Sequence, residues 1–518
     1  MQFENTGLLY TGILLALFSF VIHLTGKDKL AILFLFCSAL FVRLYIVHLD
    51  HFLHDWDERF HALVARNMMD HPFKPMLYSQ TILPYEFMSW TENHIWLHKQ
   101  PLFMWQMALS MKIFGVSEFA MRYPSALMGA IMVIVVYRIS WLLSKDRLLS
   151  YGAALLMCFS NYQLELMSGY IGMDQNDVAF GFYVCASIWA YIELLNDKRW
   201  FWILLVGVFA GCAVLNKWLT GLLVFGGWGL NILLAIRKPE SKKEIFRMLM
   251  SFGICLLVFV PWQIYILNQF PLEAKNEFAY NSKHVFEAVE NHAGSTMFYY
   301  QKLPQYFGLF TWQLFLIGIA VFAAAKTEDW RIKLSLGFSV LIIFLFFSLV
   351  VKTKMQSYFF VVGPIGYIFM AYALVRGIQF FKLPGYWPKL VSGSGLIICA
   401  WFLFNYSGIK TFFHDPNDPD RITKIKNTAI YKDLKKQLKP NTRCVLNLSQ
   451  FSETELMFYN PNLVAYHGNL NKESIERLLK DNLPIAVFKN HDRYKDADYL
   501  PTSPLFYLID EELGEANK

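Results

Sequence analysis

Charge is scarce in this chain. Lys, Arg, Asp and Glu make up only 17% of its 518 residues, hydrophobic residues make up 55%, and the mean hydropathy is +0.34. An average soluble domain carries about 25% charge, so the shortage excludes the string of soluble domains that the length alone would allow. Cysteine is sparse as well: of seven, Cys37, Cys158, Cys185, Cys212, Cys255 and Cys399 lie inside apolar runs. Only Cys444 lies in the polar tail, which rules out a disulfide within that tail. Internal repeats and low-complexity segments are missing. No basic n-region precedes the apolar run from Gly7 and no small-residue cleavage site follows it. It therefore reads as a span and not as a cleavable leader. The formal charge of +7 calls for no nucleic acid, because many Lys and Arg fall in short loops where membrane orientation demands them.

What the chain has in abundance is apolar length. Runs able to cross a bilayer as helices cover about 7–25, 29–48, 121–142, 149–166, 178–195, 200–216, 219–236, 249–267, 308–325, 333–351, 357–376 and 390–408. Several approach the ~20 residues that a span needs. The pair 200–216 and 219–236, separated by Lys217 and Trp218, reads as a short hairpin turning within the bilayer. Alternate loops hold the positive charge: Lys27 and Lys29, Lys145 and Arg147, Lys198 and Arg199, then Arg237 to Arg247, Lys326 to Lys333, and Arg376 to Lys389. Placing all of these in the cytoplasm satisfies the positive-inside rule. The N-terminus, the 50–101 and 268–305 loops and the tail then face the exterior, which in a bacterium is the periplasm. Twelve of the thirteen His, all but His23, fall on that side.

The expected fold is an α-helical polytopic membrane protein of about twelve spans, residues 1–410, followed by a small α/β exterior domain, residues 411–518. Pro101–Gly115 is amphipathic and too short to span, so it is expected to lie in the outer interface. After a turn-rich DPNDPDR linker, RCVLNL, LVAYHG, PIAVFK and LFYLI read as buried strands, and SETELMFY and NKESIERLLKD read as helices.

Ionisable residues crowd into 50–101. Asp55, Asp57 and Glu58 lie within four positions, and His98 and Lys99 close the stretch before Pro101. A carboxylate at a partly dry interface suits removal of a proton from a hydroxyl or amine. Acidic residues at the start of an interfacial helix, favoured by its dipole, are the plainer reading. Asp174 and Asp177, one turn apart at the outer start of a span, are a second candidate pair, with helix capping as the alternative. Lys352 and Lys354 break the charge rule on the outer side, and Lys217 sits between two apolar helices. Such cations suit a lipid phosphate, and snorkelling to headgroups would place them equally. His98 and His292 could ligate a metal, although two isolated His are more often satisfied or solvated.

Six segments, in order, resemble the polyprenyl-phosphate-dependent glycosyltransferases of the GT-C superfamily, in particular the protein O-mannosyltransferase and lipid A aminoarabinose transferase families. They are WDERFHALVARNM, HKQPLFMWQMALSMKIFGVSEFAMRYPSALMGA, GCAVLNKWLTGLLV, PWQIYILNQFP, NHAGSTMFYYQKLPQYF and KMQSYFFVVGP. The sequence departs from the family pattern at Gln100, at Asn216-Lys217-Trp218 and in an extra N-terminal span. The resemblance implies Asp57 as catalytic base with Glu58 beside it and Asp174 as a second carboxylate. Lys99, Lys354 and Tyr358 would face the donor phosphate, with Lys217 as a further cation. His98 and His292 match positions that would make a zinc site, and no metal is obligatory for a donor that already carries a good leaving group. The implied partners are a polyprenyl-phosphate-linked sugar, a lipid, glycan or protein acceptor, and membrane lipids. A lipid-linked-sugar transporter and a non-catalytic assembly protein are the alternatives. A transporter would be expected to show repeats and midplane charges.

Overall fold

The structure is a computed structural model, and it describes residues 6–169, 175–326, 329–413, 415, 417–468, 470–489 and 503–514. The chain forms two compact units. One comprises Met1–Leu49, Arg122–Gln269 and Phe278–Ser407; the other comprises Asp50–Met121, Phe270–Glu277 and Gly408–Lys518.

The first unit is helical. Among the described residues, eight helices are long and apolar enough to cross a membrane: Thr6–Leu24, Asp28–Val47, Glu118–Ser144, Gln175–Asp197, Trp200–Lys217, Ser241–Gln269, Trp330–Val350 and Trp387–Ile409. The other four apolar runs form shorter or broken helices, each for a local reason. Run 149–166 breaks into Arg147–Cys158 and Asn161–Ser168, because the Ser160 side chain caps the second piece by accepting from Gln163 N. Run 357–376 breaks into Ser357–Phe360 and Gly363–Gln379, the latter with a proline in its first turn. After Trp218, whose φ of 69° no helix allows, 219–236 continues as a 3₁₀ turn and the helix Leu223–Leu234. Run 308–325 holds only Gln313–Ala324.

Broken helices leave backbone carbonyls without intrahelical partners, and in a lipid environment these must be satisfied by protein. Arg43 does this for the first break. Its guanidinium is fully buried and donates to Cys158 O (3.0 Å), Met157 O (3.2 Å) and Gln163 Oε1 (2.6 Å). A cation inside an apolar helix is costly alone; here the last carbonyls of Arg147–Cys158 hold it in place.

The second unit is built on a four-stranded parallel sheet, β1 (Cys444–Leu448), β2 (Val464–His467), β3 (Ile485–Lys489) and β4 (Phe506–Glu512), in the order β2-β1-β3-β4. Helices Ser452–Tyr459 and Lys472–Leu479 supply the first two crossovers, and Asn471 caps the second through Ser474 N at 2.8 Å. All five residues of β1 are buried, as a parallel sheet covered on both faces requires.

The 50–101 stretch belongs to this unit. Leu83 completes the core formed by Cys444, Leu446, Leu478, Ile485, Val487 and Phe506. Arg421 pairs with Asp50 (2.8 Å), Lys424 with Asp55 (2.6 Å), Arg59 with Glu455 (3.2 Å) and Lys432 with Glu118 (2.8 Å). A boundary drawn at 410 along the chain thus differs from the compact units, since side-chain contacts join segments more than 300 residues apart. Helix Pro101–Phe114 buries Phe103, Met104, Met107 and Met111 and leaves Leu109 and Ile113 exposed. That is the amphipathic division expected of an interfacial helix.

Candidate active site

In the second unit, Trp56 at φ 60° turns the chain so that the helix Asp57–Met68 starts at Asp57. Asp57 and Glu58 occupy its first turn, where open backbone amides favour negative charge. The helix is almost wholly buried from Glu58 to Met68. Asp57 remains partly accessible, and Lys99 Nζ stands 3.3 Å from its Oδ2. Two residues singled out from the sequence for different tasks, base and phosphate holder, are therefore neighbours. Glu58 is buried in the same turn.

Beside Lys99, His98 is stacked on Trp90 at 4.4 Å and lies 3.5 Å from the Glu277 carboxylate. Among the described residues, no group of three or more His, Cys, Asp or Glu is placed to hold a metal ion. His98 and Glu277 supply two ligand types where zinc takes at least three from protein. This donor set does not fit a zinc site.

In the first unit, Lys217 ends its helix in an ion pair with Asp177 and lies 5.5 Å over the Tyr358 ring. Asn176 and Asn216 hold this junction by donating to each other's backbone carbonyls (3.4 and 3.3 Å). The turn after Lys217 packs so tightly that a Cβ on Gly221 would meet Val214 N at 2.7 Å. Asp174 lies outside the described residues; of the two carboxylates one turn apart, Asp177 is the described one, and it faces a cation.

Lys354 is buried, and its ammonium donates to the carbonyls of Phe347, Ser348 (2.9 Å) and Val351. Burial, with Lys352 adding repulsion, pulls its pKa below the usual lysine value. Its backbone N–H donates to His292 O at 2.8 Å, and Gly294 lies so close that a Cβ there would meet Lys354 Cγ at 2.9 Å. The loop around His292 is thus tied to Lys354 by backbone.

Sequence reasoning passed over Glu165, inside a run read as a span. Asn161 Nδ2 donates to it, and it contributes with Asp177 to the electrostatics at buried Tyr162. A carboxylate inside an apolar run was the available signal. Glu277 was missed too, since nothing local marks it as the partner of His98.

Residues 98–265 match the family model described as dolichyl-phosphate-mannose-protein mannosyltransferase. The chain is similar to an uncharacterized protein of Aquifex aeolicus (strain VF5), 27% identical over 361 residues, which cover 67% of this chain and 66% of that protein. The matched region thus spans just under two thirds of the relative's own length. Among solved structures, the chain superposes on ArnT from Cupriavidus metallidurans in the apo state with a TM-score of 0.61 at 16% identity, over 88% of this chain and 86% of that one. The same protein bound to undecaprenyl phosphate gives 0.62 at 15% identity, over 87% and 88%. The chain thus has an ArnT-like fold, and over residues 98–265 it is similar to the dolichyl-phosphate-mannose-protein mannosyltransferase family.

Proposed function

We propose that this chain is an inverting glycosyltransferase that moves a sugar from a polyprenyl phosphate, such as undecaprenyl phosphate, to a lipid, glycan or protein acceptor at the exterior face of a membrane, the periplasmic face in a bacterium. The Asp57–Lys99 pair carries the reading. A carboxylate at a helix start, with a cation 3.3 Å away, provides both a proton acceptor and a countercharge for phosphate.

In the proposed step, the acceptor oxygen or nitrogen forms a bond to the anomeric carbon while the bond from that carbon to the phosphate oxygen breaks. Asp57 takes the acceptor proton, and the electron pair leaves with the phosphate. Lys99 in the second unit, and Lys217 with Tyr358 beside it in the first, are cations whose carboxylate partners a phosphate could replace, and Lys354 is a buried cation of the first unit. The resemblance assigns secondary carboxylate roles to Glu58, in the same helix turn as Asp57, and to Asp174.

Asp57→Asn tests this. Transfer from a lipid-phosphate sugar should fall by about 10²–10⁴-fold, with donor binding retained. Transfer at the wild-type rate would overturn the base assignment. A transporter would still move the lipid in this variant, and an assembly protein would change little.

A further inference from the structure

The second unit holds a cavity that the transfer step does not use. It measures about 220 Å³ and lies between the 78–92 segment and the tail, with Tyr78, Tyr85, Glu86, Glu92, Tyr466 and His467 in its wall. This is below the ~300–1,000 Å³ of drug-sized sites, so it suits a single ring. Aromatic and acidic side chains share its wall with Leu83, Pro84, Leu470, Thr81 and Ser474.

The wall is held in place from behind. Tyr78 and Tyr466 stack at 5.6 Å with their planes 17° apart, and the Tyr466 hydroxyl accepts from Leu83 N at 3.1 Å. His467 Nδ1 donates to Glu453 Oε1 at 3.0 Å, and Glu453 is fully buried. The other Glu453 oxygen has no hydrogen-bond partner among the described residues. With Nδ1 engaged, His467 Nε2 is left on the Glu92 side, 3.9 Å from Oε1. A buried carboxylate thus fixes the tautomer and orientation of an imidazole at the edge of the cavity, as a recognition site requires.

We propose that this cavity is a recognition site for one sugar ring that carries no negative charge, separate from the transfer site. Aromatic faces offer apolar area to the C–H face of a pyranose, and their negative quadrupole also favours an amino substituent. Glu86, Glu92 and His467 are convergent polar groups that can accept from or donate to ring hydroxyls. The two glutamates repel a phosphate or uronate.

The test is saturation-transfer NMR on the full chain in lipid nanodiscs, free of sugar-based detergent. Probes are D-glucose, D-glucosamine, D-glucose 6-phosphate and n-butylamine, each at about 10 mM, a concentration suited to a Kd of about 1–10 mM for so small a contact. Glucose and glucosamine should show transfer and glucose 6-phosphate should not. Glu92→Gln, at a half-exposed position that risks no misfolding, and His467→Gln should each weaken both sugars at least about fivefold. Silence from both sugars, equal binding of glucose 6-phosphate, or butylamine binding while glucose does not, would each overturn the proposal. So would unchanged sugar binding in both variants. Asp57→Asn should bind the sugars as wild type does, so the outcome is independent of the transfer reading.

Discussion

Glu455 shows what burial does to one carboxyl group. Its surroundings exclude water, and this pushes its pKa up to about 7 in spite of Arg59 at 3.2 Å. A carboxyl whose pKa is raised on folding holds its proton more tightly in the folded state. Its stabilising contribution is therefore complete below about pH 4.5 and is lost as pH rises through about 7. The shift sets a ceiling of roughly 3 kcal/mol. Glu453 raises the pKa of His467 above its usual value, which acts in the same direction on the alkaline side of that window. Asp55 acts oppositely. Burial would raise its pKa, but Arg59 and Lys424 overcome this and hold it below the usual carboxylate range, so its contribution is lost only in acid. The expected result is that thermal unfolding of the second unit moves to lower temperature between about pH 5 and pH 7. Glu455→Gln should flatten most of that slope; a variant with the wild-type slope would remove Glu455 as its source.

At the scale of elements, Arg43 and the broken helix it closes make the sharper test. Arg43→Leu keeps the apolar volume but leaves the Met157 and Cys158 carbonyls and Gln163 Oε1 without their donor. At about 1–3 kcal/mol for each orphaned group, partly relieved by relaxation, the protein should lose at least about 3 kcal/mol. Arg43→Lys should recover little, since an ammonium does not reproduce the planar fork. Unfolding in detergent, followed by near-ultraviolet circular dichroism, measures both, and a neutral Arg43→Leu would show that the break needs no staple. The same break marks how far the sequence could be read. The strands RCVLNL, LVAYHG, PIAVFK and LFYLI were legible, because a buried strand is written in neighbouring residues. The split at Ser160 was not legible, because the residue that makes it tolerable lies more than 110 positions earlier. Lys354 illustrates the same limit at the site. A cation beyond an apolar run suggests phosphate from sequence, and only coordinates show its ammonium on three carbonyls.

For the whole molecule, the main finding is that the acidic 50–101 stretch has its core in the tail. Asp50 and Asp55 meet Arg421 and Lys424 across 371 and 369 residues, and Arg66 donates to Met457 O across 391. No local pattern announces such pairings, so the sequence showed an exterior loop without its partner in the tail. Replacing Arg421 and Lys424 together by Ala in the full chain should loosen the stretch by about 1–2 kcal/mol, the range for partly buried pairs in a network. Tryptic cleavage within 50–101 should then be about tenfold faster at low protease. Equal cleavage rates would mean that the stretch folds without the tail.

The Leu83 amide reaches its Tyr466 acceptor only after 383 further residues have been made. At about 5–20 residues per second, that is roughly 20–80 s of synthesis. Until then, the segment bearing Asp57 lacks the apolar partners that order it. A newly made chain would therefore close the core around this segment only when translation is nearly finished.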